Sequence, residues 1–274
     1  MGLFDFLKKK EDPKKGSVPP PADKRVAGHA KVVADKRAQT YDRLESLQAL
    51  AEMRTADAAA ALLKRFSFSI DPSITDQEEK DLAFVGIVDA GRPGELPRDD
   101  KEREKMLEEA TERRDKVVEA TRTYCEKAEQ LTWPLKVLRE LLDDDAYRDE
   151  LIDMLGRFDT EYSRNVEPKI QLIVALEEVP GEESREVVEQ FLEDVNETVR
   201  FHAAESTFAH GNEASAAVLC KMIVAEESVR VKNKVAEHFV RRGWKVPADQ
   251  REDVAKALRD TEQYRVDATG KVTR

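Results

Sequence analysis

The sequence predicts an all-α fold, specifically an α-solenoid of about six antiparallel helix pairs with one long inserted charged helix. The composition is 38% charged and only 6% aromatic, and its abundant Ala, Leu, Glu, Lys and Arg lose little side-chain freedom in a helix. Apolar residues recur every three or four positions, as on one face of a helix. Helical segments in the C-terminal half are short and arrive in pairs, which is typical of repeat proteins.

The chain begins with an apolar and basic peptide, residues 1–10, followed by a Pro- and Lys-rich linker over residues 11–23. Proline keeps such a linker extended. The apolar side chains of the peptide are candidates for docking to a partner or for weak contact with an anionic membrane surface. Packing on the folded body is the alternative. The docking candidates are Leu3, Phe4, Phe6 and Leu7.

A helical repeat domain is expected over residues 24–262. Apolar spacing and turn residues divide its first part. The predicted elements are a helical stretch to Met53 whose apolar stripe includes Tyr41, a helix over 57–66, a loop over 67–73, a helix over 75–90 with Gly91 as its C-terminal cap, and a loop over 91–98.

Residues 99–131 predict one long, highly charged helix. Positions spaced by three and four from Leu107 to Leu131 form a heptad seam, which Arg114 and Thr121 interrupt. This seam either packs on the solenoid or pairs two chains. Pro134 then ends or kinks the long helix, or opens the next one.

Eight shorter helices follow, separated by acidic, Gly-containing or Asn-containing turns. They are predicted over 134–142, 146–157, 165–178, 183–194, 197–210, 213–225, 227–242 and 248–260. Residues 263–274 alternate apolar and polar side chains around a glycine. They are compatible with a small hairpin or with a C-terminal tail.

An internal repeat stands out near the C-terminus. The pair Val199-Arg200 recurs as Val229-Arg230 at a shift of 30 residues, Phe208 recurs as Phe239 at 31, and Gly211 recurs as Gly243 at 32. This pattern resembles the short HEAT-like repeats first named from phycobilisome lyases, which form bacterial α-solenoids. Individual residues match the repeat pattern over about 197–245. Over the wider range of about 40–260, only the arrangement of paired helices resembles it.

The resemblance implies that Arg200 and Arg230 brace adjacent repeats rather than contact a ligand. Protein partners are expected to bind along the helices of a concave face or against the long charged helix over 99–131. Polar positions on the late helices expected to line that face are the protein-binding candidates. These are Arg185, Glu189, Lys221 and Lys256.

Motifs that would carry catalysis are missing from the sequence. The histidines and the two cysteines lack the spacing of a metal site or an activated nucleophile. Acidic runs such as Asp143–Asp145 are expected to cap helix starts. The sequence also contains no P-loop, dinucleotide fingerprint or nucleophile elbow. We therefore predict no catalytic residue, no cofactor and no metal.

Charge and composition narrow the function further. The net charge of −11 disfavours contact with phosphate backbones, so no nucleic-acid partner is expected. Two cysteines and no apolar run of membrane length predict a cytoplasmic protein, with a peripheral position at the inner membrane face left open. The leading hypothesis is a non-enzymatic scaffold or adaptor. The alternatives are a bilin lyase-like chromophore-attachment chaperone and a membrane-associated scaffold that uses residues 1–10.

Overall fold

The computed structural model describes residues 24–274, and this part of the chain is mostly helical, which confirms the all-α prediction. The helices of the first half are α1 (Lys24–Val33), α2 (Thr40–Met53), α3 (Ala56–Leu62), α4 (Ser73–Gly91), α5 (Asp100–Cys125) and α6 (Thr132–Leu141). Those of the second half are α7 (Asp144–Leu155), α8 (Glu167–Ala175), α9 (Glu182–Gln190), α10 (Glu197–His210), α11 (Ala216–Ala225), α12 (Val229–Arg242) and α13 (Arg251–Ala257).

Several helices begin and end at residues suited to capping. Side chains accept hydrogen bonds from first-turn amides at Asp143, Asn196 and Ser228, which satisfies backbone donors that have no partner within the helix. Helices α10 and α12 end at Gly211 and Gly243, both left-handed with φ of 74° and 70°. Glycine adopts this conformation without strain, so the local sequence determines where these two helices end.

Most helices that lie two apart along the chain pack against each other, with α5/α7 and α6/α8 as the main exceptions. Contacts join α2 to α4, α4 to α6, α8 to α10 and α10 to α12, and likewise α1 to α3, α3 to α5, α7 to α9 and α11 to α13. A 3₁₀ turn over Phe191–Glu193 continues α9 and contacts α11. The buried apolar side chains between these helices form one connected core.

The predicted long helix is shorter than expected, because α5 ends at Cys125 and α6 begins at Thr132. The intervening turn finds hydrogen-bond partners far along the chain. The amide of Leu131 donates to the side chain of Gln171, and the side chain of Asn165 donates to the carbonyl of Glu129. These tertiary bonds replace those that a continued helix would have made.

The heptad seam on α5 is buried or half-buried from Ala110 onwards. Val117 and Thr121 are buried, whereas Leu107 is 40% exposed and residues 100–105 are exposed throughout. Arg113 donates to the carbonyls of Ala90 and Arg92 at the end of α4. The part of the seam that precedes Ala110 lies in solvent.

The predicted apolar stripe of α2 is also wrong in part. The predicted helical stretch is divided in two, since α1 ends at Val33 and α2 begins at Thr40. Tyr41 is 75% exposed. Leu47 of the predicted stripe is buried, and Arg43, which the stripe did not include, is buried as well. Arg43 turns inward because its guanidinium donates to both carboxylate oxygens of Glu79, at 3.0–3.2 Å. Apolar periodicity cannot anticipate a buried ion pair.

Gly91 is the last residue of α4, but its role differs from the predicted left-handed cap. The residue after it, Arg92, is extended. A Cβ atom at Gly91 would lie 2.7 Å from Cδ2 of Leu141 on α6. The glycine therefore permits close packing of α4 and α6 rather than a special backbone angle.

Residues 265–273 form a hairpin, so of the two alternatives for the C-terminal segment the hairpin is the observed one. Strands β1 (Arg265–Val266) and β2 (Val272–Thr273) pair antiparallel, with Val266 opposite Val272. A bridge between Lys245 and Lys271 ties the hairpin to the loop after α12. Strand β1 contacts α13 and strand β2 contacts α12.

Candidate binding groove

An open groove of about 1490 Å³ lies between α3, α5 and the start of α6. Its lining is mostly apolar, and four aromatic side chains contribute to it. We call it the aromatic groove, and its defining residues are Phe66, Phe68, Tyr124 and Trp133.

Two of these aromatic rings support each other. Phe66 lies in the 3₁₀ turn Leu63–Ser67 that follows α3, and Trp133 lies in the first turn of α6. Their rings stack with centroids 5.5 Å apart and an interplanar angle of 10°. Phe84 of α4 also packs against Trp133, with ring centroids 6.0 Å apart. Two aromatic rings from other segments therefore position the indole, which also lines the groove.

Phe68 is positioned by a buried cation. Arg65 lies 4.5 Å beneath its ring and donates to its carbonyl oxygen at 3.0 Å. The same guanidinium binds Glu79 at 2.5 Å and Asp76 at 2.7 Å. Because Arg65 is fixed by two carboxylates, the exposed loop that carries Phe68 has a rigid anchor in the core.

One wall of the groove is a continuous face of α5. Its lining positions are spaced by three and four residues, which places them in one row along the helix. They are Lys116, Glu119, Ala120, Thr123 and Tyr124. Burial, and to a smaller extent the neighbouring Cys125, raises the pKa of Tyr124 to about 12. Its phenol is therefore neutral at physiological pH.

Lysines surround the apolar surface. Four lysines and two glutamates line the groove, although the whole chain is acidic. Lys80 pairs with Asp76 at 2.7 Å. Lys64, Lys116 and Lys127 are exposed, and within residues 24–274 no carboxylate lies at ion-pair distance from their ammonium groups. The groove thus combines an apolar floor with an unneutralised cationic rim.

A second, smaller groove of about 510 Å³ continues from the first. Thr132 lines both grooves. Phe84, Tyr147 and Val174 supply apolar surface in the second one. Lys136 also lines it, with the ammonium group 4.7 Å from the ring of Trp133. Apolar surface with nearby cations therefore extends from α5 across α6 towards α8.

The sequence-predicted candidates on α9 lie elsewhere and are engaged within the fold. Arg185 is only 7% exposed and contacts the carboxylates of Glu182 and Glu189, the latter at 2.5 Å. Glu189 also accepts a hydrogen bond from Ser215 at 2.5 Å. These side chains join α9 to the segment before α11, and their groups are already partnered.

The other candidates have different placements. Lys221 on α11 and Lys256 on α13 are exposed, and their helices pack against each other. Their role as partner contacts stays a prediction. The N-terminal docking candidates lie outside the described residues. These are Leu3, Phe4, Phe6 and Leu7.

Both repeated arginines make the bracing contacts that the repeat pattern implied. Arg200 on α10 binds Glu226, at the end of α11, through two hydrogen bonds of 2.7 and 2.8 Å. Arg230 on α12 reaches back to Glu197 at 2.9 Å and covers the ring of Phe201. The two pairs link the helix pair that contains α10 to the one that contains α12.

One buried histidine and the two cysteines have surroundings that argue against a reactive role for them. His238 bonds to Glu205 at 2.6 Å and stacks on Phe208. Burial raises the pKa of both Cys125 and Cys220 to about 12, so neither thiol is an activated nucleophile. Over residues 24–274, no group of three His, Cys, Asp or Glu side chains is arranged to hold a metal ion.

In the same range, no helix has both the length and the apolar composition needed to cross a membrane.

Sequence reasoning missed the aromatic groove because its residues come from three separate segments. One local signal was present, since Phe68 stands between Ser67 and Ser69 in a predicted loop, where an aromatic ring is expected to be at least partly exposed.

No family model, curated protein or solved structure matches this chain. The groove is therefore interpreted from its own geometry.

Proposed function

We propose that this chain is a non-enzymatic adaptor whose partner-binding site is the aromatic groove. One observation carries the proposal. Aromatic side chains and unpaired lysines converge on an open groove that the chain itself leaves unfilled over residues 24–274. Aromatic residues concentrate binding energy in protein interfaces, since they bury a large area with few rotatable bonds.

The architecture proposed for this adaptor is an α-solenoid of six HEAT-like helix pairs, α1/α2 to α11/α12. Packing between helices two apart along the chain supports it. The braces from Arg200 and Arg230, each to a neighbouring pair, support it further. Helix α13 and the hairpin would then close the C-terminal end, as terminal units of such arrays require a polar outer face.

A matched pair of substitutions on α5 tests the proposal. Thr123→Arg places a long cation in the groove, and Thr111→Arg makes the same change at an exposed position of the same helix outside it. Tagged full-length chains are used to capture partners from native lysate, with quantitative mass spectrometry as the readout. We expect Thr123→Arg to lose specific partners at least tenfold, and Thr111→Arg to retain them.

Circular dichroism and thermal melting confirm that both variants are folded. Equal partner recovery by the wild type and the folded Thr123→Arg variant would show that the groove is not the binding site.

A further inference from the structure

We infer that the aromatic groove selects an acidic amphipathic helix of a partner protein. Resting on the proposed function, this inference names the class of partner. The apolar face of the ligand helix would contact Phe68, Tyr124 and Trp133, and its carboxylates would face the lysine rim.

The shape of the groove fits a helix better than a small molecule. Small-molecule sites commonly enclose about 300–1,000 Å³, whereas this groove has about 1490 Å³ and is open. Its α5 wall extends from Lys116 to Tyr124, which is about 12 Å at 1.5 Å per residue. The lining continues to Lys127 beyond α5. A long straight wall with residues in one row is the surface against which a second helix packs.

The charges decide which kind of helix fits. Lys116 lies at one end of the α5 wall, Lys127 follows the other end, and Lys64 lies in the segment after α3 that also lines the groove. Of the two glutamates, Glu119 is bound to Arg122 at 2.7 Å, which leaves Glu129 as the free anion among the lining residues. A ligand with carboxylates beside its apolar face would neutralise the lysines. Elsewhere the acidic surface would repel the same ligand, so the complementarity also fixes where it binds.

The basic N-terminal peptide of this chain is a poorer occupant. Its apolar residues suit the groove, but Lys8, Lys9 and Lys10 follow them directly. Those three cations would approach the lysine rim, and like charges brought together oppose binding. Removal of residues 2–23 is therefore one arm of the test.

Two synthetic peptides test the inference directly. Both are 18 residues long with Leu and Phe at helical spacing, and the remaining positions are Glu and Gln in one peptide but Lys and Gln in the other. Fluorescence anisotropy measures the binding of each labelled peptide to the full chain. We expect the Glu peptide to bind at least tenfold more tightly than the Lys peptide, and its affinity to fall as salt rises.

A charge-matched pair of double variants locates the contact. In Lys116→Glu/Lys127→Glu, two groove lysines are reversed, whereas Lys101→Glu/Lys105→Glu makes the same charge change on the exposed N-terminal part of α5. We expect the groove variant to weaken binding of the Glu peptide at least tenfold. The control variant should change it less than threefold.

The outcomes separate this inference from the proposed function. Failure of the Glu peptide to bind, or equal weakening by both double variants, would overturn the inference. If both peptides bind the wild type equally and neither binds Thr123→Arg, the groove is a partner site without charge selection. If the Glu peptide binds only after residues 2–23 are removed, the chain's own N-terminal segment is the occupant and the inference is wrong.

Discussion

Arg200 and Arg230 stand at equivalent repeat positions, but their surroundings differ. The carboxylate of Glu226 is only 1% exposed, binds Arg200, and accepts hydrogen bonds from the amides of Glu227 and Ser228. Arg230 is 58% exposed and its partner Glu197 is also open to solvent. Solvent screens the second pair but not the first, so the same residue type contributes differently to stability.

We predict that Arg200→Ala lowers the free energy of unfolding by about 3 kcal/mol, because it leaves the buried Glu226 carboxylate without its cation. Arg230→Ala should change stability little, since its ion pair is exposed. Urea unfolding followed by circular dichroism measures both. Equal effects of the two substitutions would contradict this reasoning.

Glu226 also makes stability depend on pH. Burial by itself raises its pKa, but hydrogen bonds from Arg200 and the Ser228 amide outweigh this, and the net pKa lies below the ordinary 4.5. A carboxyl with a depressed pKa in the folded state stabilises the fold above its unfolded pKa. That stability is lost as the pH falls from about 4.5 through the folded value.

We therefore expect the wild-type free energy of unfolding to decline below pH 4.5, and to decline less steeply in Glu226→Gln. The exposed neighbour provides the control, because Glu227→Gln should keep the wild-type dependence. Urea titrations between pH 3 and pH 7 measure the slopes. Identical slopes for wild type and Glu226→Gln would refute the assignment.

At the scale of elements, glycine sets how closely α2 and α4 approach. A Cβ at Gly86 would lie 2.7 Å from Cβ of Ala51 and 3.1 Å from its Cα. Backbone cannot yield as a flexible side chain can. Gly28 on α1 is the opposite case, since a Cβ there would have nothing within 4 Å.

We predict that Gly86→Ala destabilises the protein by about 1–3 kcal/mol through overpacking. Gly28→Ala should stabilise it by about 0.5–1 kcal/mol, because alanine loses less backbone entropy in a helix. Chemical denaturation distinguishes the two signs. If Gly86→Ala left the free energy of unfolding unchanged, α2 and α4 could move apart without loss of stability, and the prediction would be wrong.

At the scale of the whole molecule, the hairpin covers the end of the helical array. Tyr264 and Val272 are buried, and the amide of Val246 donates to the carbonyl of Gly270 at 2.8 Å. Trp244 packs nearby against Phe208 and Phe239. The last helices therefore depend on a segment that is not helical.

We predict that deletion of residues 263–274 lowers the melting temperature and exposes apolar surface. The deletion removes the buried side chains of Tyr264 and Val272 and uncovers the core residues against which they pack. Differential scanning calorimetry and the binding of a hydrophobic dye measure this. Lys271→Ala, at an exposed position of the same hairpin, is the control and should leave the melting temperature almost unchanged. An unchanged transition in the truncated chain would show that the hairpin is dispensable.

Local signals in the sequence predicted much of the helical fold. The predicted helix over 197–210 matches α10 residue for residue, since Asn196 caps its start and Gly211 ends it. Capping and apolar spacing act over about four residues, so they are readable without knowledge of distant contacts. The same signals failed at Arg43 and at the end of α5, where partners far along the chain decide the outcome.

Local patterns of apolar spacing and capping account for the helical class of this protein and for most of its late helix boundaries. Contacts between distant segments determine which polar side chains such as Arg43 are buried and where the aromatic groove forms. Arg43 is buried because its guanidinium meets the carboxylate of Glu79, which lies 36 residues away along the chain. Phe68, Tyr124 and Trp133 became one surface only when three segments met. Burial and grooves arise from contacts between distant residues, and no local pattern encodes those contacts.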